Sequence, residues 1–75
     1  MTTSIHSPKA RFCASVNFDK PVKGLGSVVS LTADSIAQLK SDIAHCGYRK
    51  ADVTIRENRK TYPEFDWVVV ERYRI

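Results

Sequence analysis

The chain has 75 residues, of which 43% are hydrophobic and 27% charged, and it carries a formal net charge of +4. That length suits one domain near the lower limit for a self-sufficient core, and the composition excludes both a disordered chain and a disulfide-dense scaffold. So small a core gains from association, so pairing with a second copy or with another protein is expected, and the positive charge favours acidic partners without naming one.

Residues 1–9 mix Thr, Ser, His, Pro and Lys without periodicity and read as a flexible leader to a single domain over residues 10–75. They hold no apolar stretch that could act as a secretion signal, and apolar runs such as Val68 to Val70 are far too short to cross a membrane. A cytoplasmic protein with no membrane contact and with reduced cysteines is expected. Cys13 and Cys46 each lack a second cysteine nearby, so the spacing of neither a zinc knuckle nor a redox pair is present.

From Arg11 onward Phe12, Ala14, Val16 and Phe18 alternate with Cys13, Ser15 and Asn17, the period of a half-buried strand. Residues 19–26 contain Pro21, Gly24 and Gly26, which predict a turn or short loop in which Lys20 and Lys23 are ordinary exposed residues. Val29 and Leu31 against Val28 and Ser30 predict a second strand over residues 27–31. Thr32 then reads as a helix cap with Asp34 at the positive end of the dipole. Ile36, Leu39, Ile43 and Cys46 recur at three and four, and Gly47 supplies a terminator. Ala51, Val53 and Ile55 alternate with Asp52, Thr54 and Arg56 as a third strand. Residues 57–64, with Pro63, predict an extended hairpin connection, and residues 65–75 a fourth strand rich in valine and aromatic residues.

The fold class expected from this order is α+β, a single helix packed on one face of a four-stranded antiparallel sheet in the order β-β-α-β-β. Sheet orders 2-1-3-4 and 1-2-4-3 both satisfy it. One helix covers one face, so the other is wet, bound to a partner, or folded over by a leader or loop. Strict alternation along the fourth strand puts Trp67, Val69, Glu71, Tyr73 and Ile75 on one side and Val68, Val70, Arg72 and Arg74 on the other. Either choice gives the open face more apolar surface than solvent contact requires.

Arg56, Arg59, Lys60 and Tyr62 cluster around the connection, with Arg72 and Arg74 following on the fourth strand. Guanidinium groups can grip phosphates in a forked geometry and aromatic rings can stack on bases, as in binders of single strands. Glu57, Glu64, Asp66 and Glu71 are interspersed, however, and cross-strand ion pairs produce the same pattern. Gly24 to Gly26 lie between strands rather than opening a helix, so their amides do not form a phosphate loop. Ser41, Asp42 and His45 share an exposed helix face that cannot exclude water or orient a base.

No enzyme motif, metal site or cofactor fingerprint emerges. In size and build the chain resembles small non-enzymatic α+β proteins of phages and mobile elements, including anti-CRISPR proteins; the likeness carries no residue motif. The expected function is a non-enzymatic binding protein, an inhibitor or accessory factor that occupies a surface of a nucleic-acid-handling protein machine. Arg56, Arg59, Lys60, Arg72 and Arg74 would supply steering and charge-assisted hydrogen bonds, and Tyr62, Trp67 and Tyr73 the aromatic anchors. The alternative is direct, non-specific DNA or RNA binding by the same basic and aromatic surface.

Overall fold

The computed structural model describes residues 10–61 and 63–75, so the expected leader over residues 1–9 and the expected anchor Tyr62 lie outside the described residues. The elements in chain order are β1 (Phe12–Val22), β2 (Gly26–Ala33), α1 (Ile36–Cys46), β3 (Ala51–Asn58) and β4 (Trp67–Arg74). All pairings are antiparallel in the order β2-β1-β3-β4, which resolves the two orders left open by the sequence and makes β2 and β4 the edges.

The register explains the core. Leu31, Ala14, Ile55 and Glu71 form one cross-strand row, and Val29, Val16, Val53 and Tyr73 the next, all on the face that α1 covers. Leu39 and Ile43 from the helix close this layer, and each of the larger buried side chains stabilises the fold by roughly 1.5–3 kcal/mol relative to exposure. The helix lies across β1 and β2 more closely than across β3 and β4.

Several boundaries differ from expectation, two of them for an evident local reason. The helix begins later than Thr32, because Ser35 is the cap, its Oγ accepting from the Gln38 amide at 3.1 Å. Thr32 is instead buried in β2, and Asp34 precedes the cap, so no acidic residue lies in the first turn. At the other end the Gly47 amide bonds to the Ala44 carbonyl in a left-handed cap with φ 75°, as the sequence indicated.

The second difference is that β1 continues through Val22 where a loop was expected to start at Asp19. Its ladder to β3 stops at Phe18, and its register to β2 shifts between Asn17 and Val22, so Pro21 lies where no ladder hydrogen bond is required of it. The reversal is then confined to a tight turn closed by the Leu25 amide on the Val22 carbonyl at 2.9 Å. β3 likewise runs two residues past Arg56, and β4 is shorter than expected, excluding Phe65 and Ile75.

Candidate functional site

The side of β4 on which each residue lies is decided by one irregularity. Ile55 pairs with Glu71 but its neighbour Arg56 pairs with Val69, leaving Val70 as an extra residue, a β-bulge. Paired residues share a face, so Glu71 and Tyr73 join the helix side while Val69 and Trp67 join the open side with Arg72 and Arg74. The single side expected for Trp67, Val69, Glu71 and Tyr73 is therefore corrected: the bulge divides it.

Across the open face the rows read Thr32, Cys13, Arg56, Val69, then Ser30, Ser15, Thr54, Arg72, then Val28, Asn17, Asp52, Arg74. Trp67 lies beyond the first row, opposite Asn58, and stacks on Phe65 with ring centroids 5.9 Å apart and planes 15° from parallel. Val68, Val69 and Val70 remain 37–39% exposed and Phe65 is 46% exposed, so an apolar strip runs along the β4 edge next to the arginines. Sequence reasoning left Phe65 out of the site, although its spacing of two from Trp67 was an available indication that both rings share a side.

The expected cations separate into different roles. Arg56 is half-buried and its Nη1 donates to Ser15 Oγ at 3.3 Å, across the strand. Arg74 donates through Nη1 to Asp19 Oδ1 at 3.0 Å and to Asp52 Oδ1 at 3.1 Å, and its Nη2 bonds to Asp19 Oδ2. Arg59 and Arg11 each bring Nε to within 2.8 Å of a Glu57 carboxylate oxygen. These contacts hold the Asp19 and Glu57 carboxyls below the usual range, the first chiefly through hydrogen bonds from Arg74 and the second from Arg11. Arg72 and Lys60 are exposed and, among the described residues, make no side-chain ion pair.

Tyr73 sits on the helix side under Lys40, whose Nζ lies 5.4 Å from the ring centroid and also pairs with Glu71. Burial pushes its hydroxyl pKa up. It forms part of a groove of about 400 Å³ between the C-terminal half of α1 and β4, and not of the open face. Cys13 is on the open face, where burial raises its thiol pKa against the lowering effect of Arg56, and both Cys13 and Cys46 are free thiols.

Asn58 escaped sequence reasoning altogether. It is 8% exposed, and its Oδ1 accepts from the amides of Lys60 at 3.0 Å and Asp66 at 2.8 Å while its Nδ2 donates to the Glu64 carbonyl at 3.2 Å. One side chain thus shapes the connection and sets where Trp67 enters β4. Nothing in an isolated Asn distinguishes this role from a solvated one.

Among the described residues no group of three or more His, Cys, Asp or Glu is placed to hold a metal ion, and no helix is long and apolar enough to cross a membrane. No protein-family model, no curated protein and no solved structure matches the chain. The site is therefore read from its own chemistry: an aromatic pair and exposed valines on a sheet edge, bordered by Arg74, engaged by carboxylates, Arg56, engaged by a hydroxyl, and the unpaired Arg72.

Proposed function

We propose that this chain is a non-enzymatic binding protein whose open sheet face occupies a surface of another protein. It acts in the cytoplasm as an inhibitor or accessory factor of a machine that handles nucleic acid, in the manner of small phage and mobile-element proteins such as anti-CRISPR proteins. The observation that carries the reading is the bulge at Val70, which gathers Trp67 and Val69 on the same face as Arg56, Arg72 and Arg74. An aromatic anchor beside apolar surface and a peripheral arginine is the composition from which protein interfaces draw most of their affinity.

Protein is favoured over phosphate at this face because only one of its three arginines keeps an unengaged guanidinium. Arg74 is held by Asp19 and Asp52, Arg56 donates to Ser15, and Arg72 alone makes no side-chain ion pair among the described residues. A phosphate would find one unengaged guanidinium here, whereas an acidic protein surface can seat on Trp67 and engage Arg72 as well. The net charge of +4 supplies the steering toward such a partner.

Capture from a nuclease-treated extract of the native host tests the reading. The expected result is a protein partner whose recovery survives nuclease and whose affinity falls about tenfold or more with Trp67→Ala, and less with Arg72→Ala. Binding unchanged by both substitutions would remove the open face from the function.

A further inference from the structure

We propose that Lys20, Arg49 and Lys50 form a phosphate-binding site for single-stranded nucleic acid, at the end of the sheet opposite the Asn58 connection. Lys20 comes from the irregular stretch of β1, and Arg49 and Lys50 from the link between α1 and β3. They line one hollow of about 320 Å³ whose apolar wall is Phe18, Pro21 and Val22.

The fold builds this juxtaposition from two distant segments. The Asp19 amide bonds to the Lys50 carbonyl at 2.9 Å, and Phe18 meets Tyr48 edge-on with centroids 5.5 Å apart. The register shift between Asn17 and Val22 carries Lys20 off the regular ladder toward the link. Like charges held together repel, so the arrangement favours an anion between them.

Unlike Arg74 on the open face, these cations make no direct ion pair. Among the described residues none of Lys20, Arg49 and Lys50 makes a side-chain ion pair or hydrogen bond. The one carboxylate lining the hollow, Asp19, has both oxygens bonded to Arg74, while the nearby charge of Lys50 adds to the lowering of its pKa. Lys50 is also the one described non-glycine residue with positive φ, at 54°, a position at which Gly or Asn is less strained. A lysine there retains its charge at a conformational cost.

A phosphodiester suits the hollow better than a lone carboxylate. Its oxygens diverge toward cations on two sides, the guanidinium of Arg49 can bind two of them, and the Phe18 and Pro21 surface can take the attached sugar or base. This is a different surface, occupied by a different ligand, from the one assigned to protein recognition.

Fluorescence anisotropy with a labelled oligothymidine of about twelve nucleotides tests the proposal. Binding is expected at low salt, with log affinity falling against log salt at a slope of about −2, since each of three phosphates contributes roughly −0.7. Lys20→Gln and Arg49→Gln should each weaken binding several-fold and flatten that slope by about 0.7. Ala37→Glu, which changes net charge by the same amount on the exposed side of α1, should stay within about twofold. Lys50→Gly should melt no lower than the parent yet bind more weakly, which separates loss of the site from loss of the fold. Absence of binding at low salt, equal weakening by Ala37→Glu, or equally strong competition by a polyglutamate peptide of the same charge would each overturn the proposal.

Discussion

Asn58 shows how much one side chain can determine in a domain of this size. Its amide satisfies two backbone donors and one carbonyl that an alanine would leave unpaired beside the β3 end. Asn58→Ala should therefore lower unfolding free energy by about 1–3 kcal/mol in urea titration, with Asn58→Asp costing less because the acceptor remains. The exposed ion pairs instead govern acid behaviour. Glu57 and Asp19 have carboxyl pKa values lowered by Arg11 and Arg74, so their contribution is complete above the ordinary carboxylate range near pH 4 and disappears as pH falls through the lowered values. Urea midpoints measured down to about pH 2 should decline along this limb, and more shallowly in Glu57→Gln and Asp19→Asn. The sequence placed Glu57 among the arginines and Asp19 at the start of the first turn, but their pairing depends on register, which no residue type discloses.

At the level of elements, the order and type of every strand and of the helix were readable because apolar residues recur at two in the strands and at three and four in α1. The turn at Gly24 and the terminator Gly47 were equally plain, since each needs a positive φ that glycine takes without strain. The choice between Thr32 and Ser35 as cap was not, because both hydroxyls precede the same apolar stripe and tertiary burial of Thr32 decides between them. The bulge was hidden for a more specific reason: Val68, Val69 and Val70 are identical, so nothing marks one as the extra residue. The same identity makes a test. Removing any one of the three gives the same chain, in which Glu71 can stay on the helix side and Trp67 on the open side with a regular ladder. That deletion should leave a folded protein, and amide exchange should show the β3–β4 pairing unbroken through the former irregularity. Loss of the β4 pairing instead would show that the bulge is required for the strand to form.

For the whole molecule, a core with seven large, fully buried side chains among the described residues is thin. At roughly 0.05–0.15 kcal/mol per residue, total stability should fall at about 4–11 kcal/mol. Leu39→Ala, at the centre of the helix–sheet contact, should remove about 2–5 kcal/mol of this and shift the urea midpoint strongly without changing the slope. Fold class, and with it the fact that α1 covers only one face of the sheet, could be derived from one helix and four strands. The division of cations into paired and unpaired sets could not, because Lys20 meets Arg49 and Lys50 only through the folded topology.

The offset of α1 toward β1 and β2 has a dynamic consequence. As an edge strand β4 has one ladder, to β3, and is otherwise held by Lys40 bridging to Glu71 and Tyr73, by Tyr73 packing against the core and by Arg74 reaching Asp19 of β1. Such a strand opens at lower free energy than the rest of the sheet, so it should be the first segment to peel away and admit solvent. A protein seated on Trp67 and Val69 would clamp that segment shut, converting the most yielding strand of the free domain into one of its most protected.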